Sequence, residues 1–212
     1  MRVCFVGDDY VCGEGDDDCR GWVSRACSEA KRRGNDLRPY NLGVCGNTSR
    51  DIAQRWEKEV VDRLELGGFL ILSFGMNDCR LERGEPNVCE EEALLNIDEI
   101  VGRAGSQWPM LMIGPPCTGD AALNLRIQSL SEKFQAFCEG QELPFLPLFE
   151  RTSRSRLYQH DLAQGNGLHP NRAGYGVIYQ AIRDWQFWRE WTSCRDHLCR
   201  GAIGWAGNDA AN

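Results

Sequence analysis

The sequence predicts a three-layer α/β/α sandwich built on a five-stranded parallel sheet. Five short apolar runs recur along the 212 residues, and helical stripes lie between them. Strands buried on both faces read as near-continuous apolar runs. Alternation of such runs with amphipathic helices calls for right-handed βαβ crossovers, with helices covering both faces of the sheet. No internal repeat and no linker rich in Pro or Ser divides the chain. One domain over 1–192 is expected, followed by a loose tail over 193–212 that lacks periodicity.

The predicted strands are RVCFVG at 2–7, LRPYNL at 37–42, GFLILSF at 68–74, WPMLMIG at 108–114 and LPFLPLF at 143–149. After the first, Trp22, Ala26 and Ala30 keep i, i+4 spacing, and Gly34 follows as a stop. Ile52, Trp56, Val60 and Leu64 form a second stripe, with Thr48 or Ser49 as its N-cap. Leu94, Ile97 and Val101 form a third, and Ile127, Leu130, Phe134 and Phe137 a fourth. A last helix after HPNRAGYG carries Ile178, Ile182 and Trp185.

The net charge of −7 argues against a nucleic-acid partner, which needs a basic footprint. No apolar run approaches the ~20 residues needed to span a membrane. Met1 leads directly into the first strand without an apolar leader, so a cytoplasmic chain is expected. The 11 cysteines then read mostly as buried reduced thiols. CRDHLC, with Cys194, His197 and Cys199, resembles half a metal site without a second half. GDDD at 15–18 reads as an acidic loop capping a helix N-terminus. No cofactor and no metal are expected, and the expected partner is a small-molecule substrate.

Ligands of open parallel sheets bind beyond the carboxyl ends of the strands. Four segments fall there: VGDDY with Asp9, NLGVCGNTS with Gly46, SFGMNDC with Gly75, Asn77 and Asp78, and GNGLHPNRAGY with Asn166 and His169. Each is weak alone. In this order, with HPN-x-x-G-Y closing the series, the chain resembles the SGNH hydrolase superfamily, the GDSL esterases and lipases, over roughly 2–190. The resemblance implies a flavodoxin-like fold and a site assembled from these blocks. Gly46 matches the glycine whose N–H holds the oxyanion, Asn77 the asparagine that does so with its side chain, and His169 the general base. The nucleophilic serine is replaced by Asp9, and the aspartate that orients the histidine is replaced by Asn166.

Asp9 has no hydroxyl for His169 to activate, so a serine-type acyl-enzyme cannot form. A carboxylate could attack sp³ carbon and leave an ester for His169-activated water. Asn166 would then fix the histidine tautomer by accepting from Nδ1–H through its side-chain oxygen. Asp9 and His169 could instead serve as an acid/base pair, with Gly46 and Asn77 holding an enolate or alkoxide. Asp9 could also activate water directly. The remaining readings are a pseudoenzyme that binds a small molecule or glycan, or an ordinary esterase inactivated at both positions. Asp161 is a further candidate for orienting His169. Cys12 and Cys45 lie close in sequence to the key loops, as walls or, less simply, as a catalytic thiol.

Overall fold

The computed structural model describes residues 1–64 and 68–193. Cys194, His197 and Cys199, and all of the expected tail beyond Ser193, lie outside the described residues. The main strands are β1 (Arg2–Gly7), β2 (Arg38–Gly43), β3 (Phe69–Ser73), β6 (Met110–Ile113) and β7 (Phe145–Leu146). A small antiparallel hairpin, β4 (Leu81–Glu82) and β5 (Glu85–Pro86), stands between β3 and β6 in the chain. The five main strands form one parallel sheet in the order β2-β1-β3-β6-β7. Chain order reverses beside β1, which places a crevice at the carboxyl ends of β1 and β3.

The helices are α1 (Asp9–Cys12), α2 (Gly21–Arg32), α3 (Ser49–Val61), α4 (Glu90–Ala104), α5 (Ala121–Gly140), α6 (Phe149–Ser153), α7 (Arg156–Gln164), α8 (Arg172–Asp184) and α9 (Gln186–Ser193). They pack in two sets, α2 with α8 and α7, and α3 with α4 and α5, as the three-layer expectation requires. The predicted stripes face inward: Trp22, Ala26 and Ala30 of α2 are buried, as are Ile52, Trp56 and Val60 of α3. Phe5 of β1 meets Trp22 edge-on at 5.6 Å. Burying a side chain of this size contributes about 1.5–3 kcal/mol.

Two strands differ from expectation. β2 is not buried on both faces; it is the sheet edge, and its residues are exposed or half-buried. Pro39 suits an edge, because it has no N–H to give to a further strand. The run at 143–149 yields only the two residues of β7. Pro144 and Pro147 flank that pair and cannot donate to a ladder, and the chain turns into α6. The apolar residues beyond the pair serve helix packing, as buried Leu148 shows.

Candidate active site

The carboxyl ends of the first three strands are level. Gly7 pairs in register with Gly43 on one side and Ser73 on the other. A Cβ on Gly7 would lie 1.9 Å from the Ser73 carbonyl oxygen, so only glycine lets β1 end there. Asp8 then caps α1 by accepting from Tyr10 N–H at 3.1 Å. This sharp turn makes Asp9 the first residue of a one-turn helix, with its side chain buried.

The two oxygens of Asp9 have different surroundings. Oδ2 accepts from the Gly46 main-chain N–H at 3.0 Å and from the Asn77 side-chain amide. Oδ1 lies 3.2 Å from His169 Nε2, within ion-pair range but without the alignment of a full hydrogen bond. Burial would push the Asp9 pKa up. The nearby His169 ring, with the donors from Asn77, Gly46 and its own main chain, outweighs it and holds the pKa at about 2. Asp9 is therefore a stable anion whose Oδ2 occupies the two N–H donors expected to hold an oxyanion.

Gly46 and Asn77 are themselves held. Gly46 has φ +81°, a left-handed conformation that glycine adopts at little cost. Thr48 caps α3 and forms a reciprocal capping box with Asp51. Asn77 also donates to the Asn47 carbonyl at 3.1 Å. Buried Asp78 accepts from Ser49 N–H and Oγ–H, tying the segment after β3 to the start of α3. Burial, against these bonds, pushes its pKa up to about 6. Arg55 of α3 escaped the sequence reading. Its guanidinium donates to the carbonyls of Gly7 at 2.9 Å and Leu42 at 3.0 Å, and to Asn47 Oδ1 at 2.6 Å. A lone arginine in a helical pattern carries no signal that it reaches two strand ends.

His169 is presented by the loop before α8. Tyr10 lies edge-on to its ring at 5.7 Å and donates to the Leu168 carbonyl at 2.6 Å. Asn166 reverses its expected role. Its Oδ1 accepts from the main-chain N–H of Leu168 at 2.8 Å and of His169 at 2.9 Å. Its amide nitrogen is therefore the atom 3.3 Å from His169 Nδ1. An amide N–H facing Nδ1 requires a lone pair there, which puts the ring proton on Nε2, toward Asp9. Asp161 does not orient the histidine either. Its Oδ2 accepts from the N–H groups of Asn171 and Gly174 at the start of α8.

The other candidates are structural or peripheral. Asp16 accepts from the N–H of Gly21 at 2.8 Å and pairs with Arg25, so the acidic loop caps α2 as expected. His160 is exposed on α7. Cys12 and Cys45 are exposed, and the Cys45 thiol donates to Glu14 at 3.4 Å. Desolvation, with Cys12 and Glu14 as neighbours, pushes the Cys45 thiol up to about 12, which disfavours a thiolate nucleophile. Among the described residues all nine cysteines are free, and no group of three or more His, Cys, Asp or Glu side chains could hold a metal. Also among them, no helix is long and apolar enough to cross a membrane.

The low pKa of Asp9 has a consequence for acid stability. Its folded value of about 2 lies below its ordinary 3.8, so the anion's contribution is complete above 3.8 and vanishes as pH falls through 2. The contribution is about 2 kcal/mol. Denaturant titrations of the protein and of Asp9→Ala are therefore expected to converge as pH drops from 5 to 2. A constant gap would mean that the anion is not what the donors stabilise. Asp78, with a raised pKa, contributes with the opposite sign and cancels in the comparison.

The model of the GDSL-like lipase/acylhydrolase family matches residues 5–177. The chain belongs to that family. A lipase/acylhydrolase from Enterococcus faecalis has a similar structure, with a TM-score of 0.73 at 23% identity, over 91% of this chain and 96% of that one. The acetylxylan esterase Axe2 from Geobacillus stearothermophilus gives a TM-score of 0.72 at 20% identity, over 85% and 91%. A G-D-S-L family protein from Veillonella parvula DSM 2008 gives 0.70 at 16% identity, over 88% and 98%. At these identities the likeness concerns the fold. No curated protein sequence matches the chain. Within this GDSL-like fold, Asp9, Gly46, Asn77 and His169 converge at one end of the sheet, and Asn166 stands behind the histidine.

Proposed function

We propose that the protein is a GDSL-family hydrolase of small electrophiles in which Asp9 is a carboxylate nucleophile. The observation that carries this reading is the division of labour between its oxygens. Oδ2 rests on Gly46 N–H and the Asn77 amide, while Oδ1 is bound by neither and faces His169. A serine esterase must leave the oxyanion donors open for the substrate carbonyl. Here the donors are filled by the enzyme's own carboxylate, which suits attack on sp³ carbon, as in an alkyl halide or epoxide.

In the first step Asp9 Oδ1 forms a bond to carbon, and the halide leaves with the bonding pair; an epoxide oxygen leaves as alkoxide and takes a proton from water. The product is an alkyl ester of Asp9, and its carbonyl oxygen is Oδ2, already between the two donors. In the second step water adds to Cγ, and the negative charge develops on Oδ2, where Gly46 and Asn77 stabilise it. Collapse expels Oδ1 as the alcohol, which takes one proton of the added water; the other passes to solvent, and the carboxylate that returns contains the water oxygen. Asp9 as a general base is less well supported, because a pKa of about 2 is far from working pH.

One observation favours a second reading, a small-molecule binder without turnover. With Asn166 as it stands, Nε2 of His169 carries the proton and lacks the lone pair needed to activate water. The two readings part in heavy-oxygen water. Under the first, a panel of haloalkanes and epoxides yields an alkyl adduct on the Asp9 peptide. Its hydrolysis leaves that peptide heavier by about 2 Da, because one carboxylate oxygen now comes from water. Asn166→Asp shortens the life of the adduct by freeing His169 to activate water, and adding His169→Ala removes that gain. If panel members bind but neither adduct nor label reaches Asp9, the binder is the better description.

A further inference from the structure

We infer that Asn166 is a self-deamidating site, and that the aspartate it yields converts His169 into a base. Asn166 is followed by Gly167, the only Asn-Gly pair in the sequence. Loss of the side-chain amide needs the next main-chain nitrogen to attack Cγ. Gly167 offers no Cβ to hinder that approach, and it holds φ +74°, with nothing within 4 Å of where a Cβ would sit. Its N–H donates no hydrogen bond among the described residues, so the nitrogen is not tied down. Asn166 itself is exposed, with water at hand for the second step.

The fold also activates the group under attack. Oδ1 of Asn166 accepts from two main-chain N–H groups, those of Leu168 and His169. Two donors on one carbonyl oxygen act as an oxyanion site for the tetrahedral intermediate at Cγ. The leaving nitrogen lies 3.3 Å from His169 Nδ1, whose lone pair faces it.

The balance is simple. The Gly167 nitrogen bonds to Cγ, the Cγ–Nδ2 bond breaks, and the proton lost from Gly167 leaves on ammonia. Water then opens the cyclic imide at Cγ to give aspartate, or at the main-chain carbonyl to give isoaspartate. In the aspartate one oxygen keeps the Leu168 and His169 N–H bonds, and the other replaces the amide nitrogen opposite Nδ1. That oxygen accepts, so Nδ1 carries a proton; the Nε2 proton, no longer the ring's only one, can then leave once Asp9 is alkylated and its charge is gone. The conversion does not depend on Asp9 being a nucleophile; the benefit to turnover does.

The test follows mass, not activity. Purified protein is incubated at mildly alkaline pH in its folded form and, in parallel, in denaturant. The peptide containing Asn166 should gain about 1 Da, or about 3 Da in heavy-oxygen water. The folded protein should convert faster than the denatured chain. Gly167→Asn, which tolerates the left-handed turn but crowds the nitrogen, should lose most of the conversion. Nitrogen NMR of His169 should show Nδ1 unprotonated in fresh protein, and protonated both in aged protein and in Asn166→Asp. Equal or faster conversion in denaturant would overturn the inference, since the fold would then promote nothing. So would a product that is wholly isoaspartate with His169 Nδ1 still unprotonated.

Discussion

Asp9→Ser combined with Asn166→Asp is expected to make the protein an esterase toward p-nitrophenyl acetate, whereas Asp9→Ser alone leaves it slow. Replacing the carboxylate by a hydroxyl empties the site between Gly46 N–H and the Asn77 amide, so a substrate carbonyl can take the place of Oδ2. The new serine still needs a base. While the Asn166 amide nitrogen faces Nδ1, the proton of the neutral ring stays on Nε2, and His169 cannot accept from the serine. The equivalent error in the serine-protease triad, with asparagine in place of aspartate, lowers kcat about 10⁴-fold. A gap of about that order between the single and double substitutions is the expected result. Initial rates on the three proteins decide it. An unmodified protein as fast as the double substitution would show that Asp9 is not what blocks ester chemistry.

Arg55→Ala is expected to cost about 2–4 kcal/mol of stability. One guanidinium satisfies the Gly7 and Leu42 carbonyls and Asn47 Oδ1, and it pairs with Glu59 at 2.6 Å. Alanine removes all of these at once, and the gap left at the ends of β1 and β2 adds to the loss. The loop of Gly46 and Asn47 should loosen as well, because Asn47 is held by Arg55 on one side and receives the Asn77 amide on the other. The Asp9 pKa should therefore rise from about 2 toward its ordinary 3.8. Arg55→Lys should recover little, since an ammonium cannot fork to several acceptors in one plane. Denaturant unfolding and carbon NMR of the Asp9 carboxyl measure the two effects separately. An unchanged Asp9 pKa in a folded Arg55→Ala protein would confine Arg55 to stability.

The layers and the main elements were legible because burial imposes local periodicity. A strand covered on both faces reads as a near-continuous apolar run, as RVCFVG and FLILS do apart from Arg2 and Ser73 at their ends. A helix with one inner face repeats every three or four residues, as Trp22, Ala26 and Ala30 do. The edge position of β2 was not legible, since an apolar run does not say how many neighbours a strand has. The shortness of β7 was hinted at only by its two prolines.

The residues at the strand ends were also readable, because glycine at a turn, carboxylate, amide and histidine each carry their chemistry in the residue type. Which atom of each meets which partner depends on long-range placement. Asp9 and Asn77 are 68 positions apart, yet their contact leaves Oδ2 on the Asn77 and Gly46 donors and Oδ1 toward the histidine. Asn166 shows the limit most clearly. Its side chain has an acceptor and a donor of almost equal size, so either could face Nδ1. The main-chain N–H groups of Leu168 and His169 settle the matter by claiming the oxygen. Composition and spacing name the groups at a site; the folded backbone, through the hydrogen bonds it must satisfy, decides which way they point.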